Sequence, residues 1–146
     1  VFVNEDFKSL MRVTEEAGLS AVQLHGDETP EYCRELAKTY VIKAFGATNN
    51  LKLEGYDVDA IMLDTKDDLL RGGTGRVFDW SIAQRATSSV PKLFLAGGLS
   101  PENVAEAITR VRPYAVDACS SLEVRLGKKN HERVRAFVNA VRSVQS

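Results

Sequence analysis

One aspartate stands where a parallel α/β enzyme would place an acid. Asp64 ends the apolar run at residues 60–63, and a polar connection over residues 65–78 follows it. That connection holds Gly72-Gly73-Thr74-Gly75 and is far longer than the ~2–6 residues usual between a strand and a helix. A strand-end aspartate can simply cap a local turn, but long loops often close over active sites. The pattern favours a catalytic Asp64 beneath a lid that contains Gly72 and Gly73.

Two later loops carry residues suited to a phosphate group. Gly97-Gly98 lies between a predicted strand and a helix, and Ser120-Ser121 follows the next strand. Free backbone N–H groups at a helix N-terminus attract phosphate, and barrels commonly bind it in the loops after their last two strands. Either pair alone is equally well explained by a turn. Together, in neighbouring loops, the pairs favour a phosphate site.

Three further polar residues lie near predicted strand ends, where the loops of parallel α/β folds converge. Gln23 and His25 share one face of their strand, because side chains in a strand alternate between faces. His25 is either a substrate contact or a hydrogen-bonded interior histidine. Asp117 either holds a polar group of the substrate or pairs with Lys43. The residues alone leave both choices open.

Composition indicates one globular domain over residues 1–146. Nineteen basic against twenty acidic residues give a net charge of -1, which suggests neither a nucleic-acid nor a membrane partner. Cys33 and Cys119 lack the spacing of a metal site, and two histidines are too few for a histidine-based one. With no signal-peptide pattern, we expect reduced thiols and a cytoplasmic protein without a metal.

Six apolar segments alternate with helices along the chain. The predicted strands are residues 1–3, 21–25, 41–45, 60–64, 92–96 and 115–119. Helix starts are predicted from caps at Asn4, Thr29-Pro30, Ser100-Pro101 and Asn130. Such alternation implies parallel strands joined by right-handed crossovers, in an open doubly wound sheet or in a (β/α)₈ barrel. Inward polar residues at strand ends favour the barrel.

Several segments together resemble phosphoribosylanthranilate isomerase of tryptophan biosynthesis. The resemblance covers essentially the whole chain, and its combination of motifs is more specific than any single piece. The segments that carry it are Val1-Phe2-Val3-Asn4, Val22 to Glu28, Leu63-Asp64-Thr65, Gly72-Gly73-Thr74-Gly75 with Phe78-Asp79-Trp80, Ala96 to Val104, and Val116-Asp117 with Ser120 and Glu123.

The resemblance implies a (β/α)₈ barrel to which this chain supplies about six βα units, the third to the eighth. It implies an Amadori rearrangement of N-(5-phosphoribosyl)anthranilate to 1-(2-carboxyphenylamino)-1-deoxyribulose 5-phosphate, without cofactor or metal. Asp64 would be the general acid that protonates the ribose ring oxygen. The residues expected to bind the phosphorylated substrate are Gly97, Gly98, Ser120, Ser121, His25, Gln23, Gly72, Gly73 and Asp117.

The chain departs from the family pattern in two places. The family's general base is a cysteine in a Lys-Ile-Cys-Gly-like motif after its first strand, and that motif is absent here, so we expect the chain alone to be inactive. Ser121 replaces a family glycine near the phosphate. The alternative is a non-catalytic fragment that binds phosphate or complements a partner piece, with open sheet edges that would allow self-association. Indole-glycerol-phosphate synthase, a related phosphate-binding barrel, fits the motifs less well.

Overall fold

The computed structural model describes residues 1–36, 38–48, 50–64, 80–90 and 92–144. The predicted lid with Gly72 and Gly73 lies outside the described residues. The helices are α1 (Phe7–Glu16), α2 (Pro30–Glu35), α3 (Ser81–Thr87), α4 (Val104–Val111) and α5 (His131–Ser143). The strands are β1 (Ala21–Leu24), β2 (Tyr40–Gly46), β3 (Ala60–Asp64), β4 (Leu93–Ala96), β5 (Ala115–Val116), β6 (Glu123–Arg125) and β7 (Lys128–Lys129).

The main sheet runs in chain order. Its five strands are arranged β1-β2-β3-β4-β5, and each is parallel to its neighbours. Phe2 adds a further parallel bridge to Leu24 at the β1 edge. A doubly wound sheet reverses its strand order at a switch point, and no reversal occurs among these strands. The parallel α/β fold is confirmed, and the consecutive order is that of a barrel wall.

The helices that the structure describes pack against only one face of this sheet. On that face Leu63 and Leu95 pack with residues of α3, α4 and α5, while Val22 and Leu24 pack with residues of α1 and α2. The opposite face carries a separate apolar cluster of Ala44, Met62 and Ala96, joined by Ile42 and Phe94. Doubly wound sheets are covered by helices on both faces, so the one-sided packing again matches a barrel.

The sheet curves toward this second face. Gln23 on β1 and Met62 on β3 are separated by a whole strand, yet Gln23 Nε2 lies 3.2 Å from Met62 Sδ. Strands two places apart in a flat sheet lie roughly 9.5 Å apart. The small Ala44, which is paired with Met62 in the register, leaves room for the contact. The face that carries Gln23 is therefore concave.

Two helix starts agree with the sequence prediction and two do not. Thr29 caps α2 and Asn130 caps α5, each through a side-chain oxygen that accepts backbone N–H groups. The cap of α1 is Asp6, not Asn4: Asp6 accepts from the N–H groups of Lys8 and Ser9. Asn4 instead adopts a left-handed φ of 51°.

The second wrong helix start is that of α4, which begins at Val104 with Asn103 as its cap. The backbone carbonyl of Ser100 accepts the N–H groups of Asn103 and Val104 and so forms a turn before the helix. Ser100 and Pro101 therefore lie in that turn. Ser100 still makes the side-chain bond of a helix cap, because its Oγ accepts the N–H of Glu102 over 3.3 Å.

The outer strands are shorter than predicted. Residues 1–3 form a single bridge, and β5 ends at Val116 rather than at residue 119. Asp117 still donates its N–H to the carbonyl of Leu95 over 2.8 Å, after which Ser120–Leu122 form a 3-10 turn. β6 and β7 form an antiparallel hairpin that we did not predict. Among the described residues, no helix is both long and apolar enough to cross a bilayer.

Candidate active site

Asp64 and His25 face each other on the concave side of the sheet. Asp64 ends β3 and His25 directly follows β1, and the Nε2 atom of His25 lies 3.7 Å from Oδ2 of Asp64. Their side chains retain 35% exposure for His25 and 29% for Asp64, so both remain accessible from solvent. An acid and an imidazole at the carboxyl ends of parallel strands are placed for proton transfer.

Gln23 joins this pair through the other ring nitrogen of His25. Its Nε2 lies 3.0 Å from Nδ1 of His25 and 3.2 Å from Sδ of Met62. The shared face predicted for Gln23 and His25 is therefore present. On the concave side, Met62 therefore contacts Gln23, Gln23 contacts His25, and His25 faces Asp64.

Beside these residues lies a buried ion pair that sequence reasoning missed. Lys43 Nζ is 3.1 Å from Oε2 of Glu28, and both side chains are only 2% exposed. Lys43 also donates to the carbonyls of Gly26 and Ala44 over 2.7 and 3.0 Å. All three protons of the ammonium thus have acceptors. Lys43 pairs with Glu28, so the alternative of a Lys43–Asp117 pair is wrong.

The carboxylate of Glu28 ties two loops together. It accepts the N–H of Asn4 over 2.9 Å and the N–H of Gly26 over 3.0 Å. Burial raises the pKa of Glu28, but the N–H of Asn4, its own backbone N–H and Lys43 outweigh burial. The pKa therefore lies below the ordinary value of 4.5, and Glu28 is an anion at neutral pH. A lysine inside the apolar strand 41–45 was the sequence signal for such a partner.

Gly26 is required where these two loops meet. A Cβ on Gly26 would lie 2.3 Å from Oδ1 of Asn4 and 2.7 Å from its backbone nitrogen. Oδ1 of Asn4 also accepts the N–H of Asp27 over 2.6 Å. The backbone after His25 is thus held against Asn4 on one side and against Lys43 on the other.

A cleft of about 500 Å³ opens at this edge of the sheet. Its size falls in the usual range for small-molecule sites. Its lining comes from the first residues of the chain, the loop after β1, the end of β2 and one residue before β3: Val3, Asn4, His25, Gly26, Asp27, Lys43, Ala44, Phe45, Gly46 and Tyr56. His25 therefore belongs to both the cleft and the pair with Asp64.

The two predicted phosphate loops lie against each other. Gly97 and Gly98 follow β4 with positive φ angles of 83° and 65°, which glycine adopts readily. The hydroxyl of Ser121 donates to the carbonyl of Leu99 and so joins the second loop to the first. Ser120 is exposed beside it. The structure thus brings the Gly97-Gly98 and Ser120-Ser121 pairs together.

Arg133 supports this junction from α5. Its Nε donates to the carbonyl of Ser121 over 2.7 Å, and its guanidinium lies 3.0 Å from Oε2 of Glu102. Ser121, at the family glycine position, is not among the described non-glycine residues with positive φ. Its backbone is therefore unstrained, and its hydroxyl contacts the protein.

Neither cysteine follows the first strand in a Lys-Ile-Cys-Gly-like motif, where the family has its general base. Cys33 lies on α2 and is buried in the core, and burial raises the pKa of its thiol. Cys119 is exposed, with Nζ of Lys129 3.3 Å from its sulfur. A hydrogen bond to Glu123 raises the pKa of Lys129, and Oε1 of Glu123 lies 3.9 Å from the same sulfur. Asp117 is exposed at the end of β5.

No group of three or more histidine, cysteine, aspartate or glutamate side chains suited to a metal occurs in the part of the chain that the structure describes. What the site offers is an acid–imidazole pair and a double loop rich in backbone N–H groups. Together with the one-sided helix layer, these features are those of a barrel-type α/β enzyme.

Comparison with known proteins gives the family. The sequence profile of N-(5'-phosphoribosyl)anthranilate (PRA) isomerase matches residues 1–140. The isomerase of Trichlorobacter lovleyi is 43% identical over 141 residues, which are 94% of this chain and 68% of that protein. The isomerase of Thermotoga neapolitana is 43% identical over 148 residues, covering 99% of this chain and 72% of the relative.

Solved structures agree with the sequence relatives. The crystal structure of the Thermotoga maritima isomerase superposes with a TM-score of 0.87 at 42% identity, over 97% of this chain and 71% of that one. A complex of phosphoribosylanthranilate isomerase with reduced 1-(o-carboxyphenylamino)-1-deoxyribulose 5-phosphate superposes with a TM-score of 0.83. The chain belongs to the N-(5'-phosphoribosyl)anthranilate isomerase family.

Proposed function

We propose that this protein isomerises N-(5'-phosphoribosyl)anthranilate to 1-(2-carboxyphenylamino)-1-deoxyribulose 5-phosphate, with Asp64 as the general acid. The observation that carries the proposal is the position of Asp64. It ends a central strand, faces His25 at 3.7 Å, and lies in a chain whose family is an isomerase. The comparisons do not favour a non-catalytic fragment.

The chemistry needs an acid at one oxygen and a base at one carbon. Protonated Asp64 gives its proton to the ribose ring oxygen, and the bond from that oxygen to C1 breaks as the anthranilate nitrogen forms a C=N bond. A base then removes the proton from C2 to give an enolamine, which becomes the ketone as its C2 hydroxyl loses a proton and C1 gains one. Atoms and electrons balance within the substrate, so the reaction is an isomerisation.

The phosphate belongs at the double loop of Gly97, Gly98 and Ser120. Backbone N–H groups there are supplied by a glycine pair and by a 3-10 turn, and the hydroxyl of Ser121 fastens the two loops together. His25, Gln23 and Asp117 would line the rest of the substrate site, and Gly72 and Gly73 remain expected substrate-binding residues by resemblance to the family.

The residues of this chain supply about six of the eight βα units of a barrel. Five consecutive parallel strands and the bridge at Phe2 make six parallel segments. The 71% coverage of the Thermotoga maritima structure is close to six eighths. In this arrangement the general base, a cysteine in the family, is contributed by the remaining wall.

The test is an isomerase assay on the chain alone and in the presence of a polypeptide that carries the first two βα units of the Thermotoga maritima relative. We expect product only in the mixture, and we expect Asp64→Asn to abolish it. Asp57→Asn is the matched control, because Asp57 is an exposed aspartate that precedes β3 and lies outside the site.

Three outcomes would contradict the proposal. Turnover by the Asp64→Asn mixture would remove Asp64 from the acid role. Full activity of the chain alone would remove the need for a base from elsewhere in the barrel. No activity in a mixture that forms a stable complex would argue for the non-catalytic alternative.

A further inference from the structure

The contact between Gln23 and His25 specifies which imidazole nitrogen carries the proton. A neutral imidazole has one N–H and one acceptor nitrogen. The amide nitrogen of Gln23, a donor, lies 3.0 Å from Nδ1 of His25. Nδ1 must therefore be the acceptor, and the proton lies on Nε2.

A second contact fixes the orientation of the Gln23 amide, whose nitrogen and oxygen have nearly the same shape. The sulfur of Met62 lies 3.2 Å from the same amide nitrogen. A thioether has no proton to donate, so a flipped amide would place its oxygen against another acceptor. The two hydrogens of the amide instead match the two acceptors, Met62 Sδ and His25 Nδ1.

We infer that Gln23 is a positioning residue that holds neutral His25 with its proton on Nε2, facing Asp64. The inference rests on the proposed role of Asp64 as the acid. Nε2 is 3.7 Å from Oδ2 of Asp64, longer than a formed hydrogen bond and within the distance that substrate binding closes. A donor at Oδ2 favours the acid proton on Oδ1, and it stabilises the carboxylate left after proton transfer.

Hydrogen bonds to the backbone hold His25 and the residue that follows it in place. The carbonyl of Gly26 accepts from Lys43, and the N–H of Gly26 donates to Glu28. The N–H of His25 itself donates to the carbonyl of Phe2 over 2.8 Å. Because the backbone is held at His25 and at Gly26, the orientation of the imidazole depends on its side-chain contacts. Among these contacts, Gln23 is the residue that donates a hydrogen bond to the ring.

The experiment is a long-range ¹H–¹⁵N correlation spectrum of the full chain with labelled histidine, at about pH 8.5, roughly two units above the ordinary imidazole pKa. The chain has two histidines, and the exposed His131 is the internal reference. We expect the Nε2–H to Nδ1–H ratio of His25 to exceed that of His131 by about fivefold, the effect of one ordinary hydrogen bond.

Two variants and one control test the role of Gln23. Gln23→Leu removes the donor, so the His25 ratio should fall to that of His131. Gln23→Glu replaces the donor with an acceptor, so the proton should move to Nδ1. Met62→Leu is the control for the orientation of the amide: it removes the sulfur but leaves the amide, so the ratio should fall only part of the way toward that of His131.

A wild-type His25 protonated on Nδ1, or in the same ratio as His131, overturns the inference without any variant. A ratio that is unchanged in folded Gln23→Leu or Gln23→Glu does the same. The measurement uses no substrate, so failure of the isomerase assay leaves it intact. Conversely, a tautomer other than the expected one would not affect the conclusion drawn from the isomerase assay.

Discussion

Glu28 and Lys43 place opposite charges in an interior from which each side chain exposes only 2% of its surface. Removing one partner of a buried pair leaves the other charge uncompensated, which typically costs ~3–5 kcal/mol. We expect Glu28→Gln and Lys43→Met each to lower the free energy of unfolding by about this amount in urea titrations.

The double variant Glu28→Gln/Lys43→Met separates pairing from mere loss of volume. Its destabilisation should be well below the sum of the two single changes, because no buried charge remains. Arg12→Gln, which breaks the exposed Arg12–Glu16 pair, is the control and should cost less than ~1 kcal/mol. Additive effects of the two buried changes would contradict the pairing.

The same pair predicts how stability depends on pH. The pKa of Glu28 in the folded protein is below the ordinary value of 4.5 that applies when the chain unfolds. The contribution of Glu28 is therefore complete above about pH 4.5 and is lost as pH falls through the lower folded pKa. Thermal unfolding midpoints should decline more steeply below that pH for the wild type than for Glu28→Gln. Parallel declines would refute this assignment.

Gly26 gives a steric prediction beside the site. Gly26→Ala would bring a methyl group within 2.3 Å of Asn4 Oδ1, so the loops must separate, at a cost of ~1–3 kcal/mol. Gly46→Ala is the matched control at the end of β2, where nothing lies within 4 Å of the added carbon. Chemical denaturation of both variants measures the difference. Equal stability of the two would show that the Asn4–Gly26 contact is not close.

At this scale, residue type and position predicted the site candidates but not their partners. Asp64, His25 and Gln23 were recognisable because they lie at or near the carboxyl ends of predicted strands, where the loops of parallel α/β folds converge. The partnership of Lys43 with Glu28 was not, since fifteen positions separate them along the chain and the pairing depends on how two loops fold back. Asp117, the partner that one alternative gave to Lys43, is a carboxylate like Glu28, so residue type alone could not choose between them.

At the scale of elements, α5 holds through Arg133 the two loops that we propose as the phosphate site. Arg133→Leu removes the donor to Ser121 and the ion pair with Glu102, so the double loop loses one of its anchors. We expect about fivefold weaker binding of reduced 1-(o-carboxyphenylamino)-1-deoxyribulose 5-phosphate, the effect of roughly one hydrogen bond. Isothermal titration calorimetry measures this.

Arg135→Leu is the control for that change. Arg135 is an exposed arginine on the same helix, two residues further on, so the loss of charge is equal while the loop contact persists. If both variants weaken ligand binding equally, Arg133 acts only through its positive charge and not through its contact with Ser121.

Element boundaries followed the sequence where a side chain enforces them. Thr29 and Asn130 cap helices as predicted because their oxygens satisfy the free N–H groups. Asn4 was mistaken for a cap because it belongs to the same residue class as Asp6, which lies two positions later. The end of β5 was misjudged because the apolar pattern continues through Ala118, while the backbone has already left the sheet for the turn at Ser120.

At the scale of the whole molecule, strand–helix alternation predicted the parallel α/β class, and two structural facts favour the barrel over the doubly wound sheet. The strands follow chain order, and the described helices pack on one face only. In the sequence, only the inward polar residues distinguished the barrel from the doubly wound sheet, because strands and helices alternate in the same way in both architectures. Lys43 is also a polar residue near a strand end, but it lies on the helix-covered face. Its neighbours Ile42 and Ala44 lie on the concave side, and side chains in a strand alternate between faces.

The central claim is that Asp64 protonates the sugar ring while the loops after β4 and β5 hold the phosphate. A crystal structure of the assembled barrel with reduced 1-(o-carboxyphenylamino)-1-deoxyribulose 5-phosphate tests both parts at once. We expect phosphate oxygens on the N–H groups around Gly98 and Ser120, with the Asp64 carboxyl hydrogen-bonded to the oxygen that closes the sugar ring in the substrate. A phosphate bound instead in the cleft beside Asn4 and Lys43, with Asp64 out of contact, would contradict it.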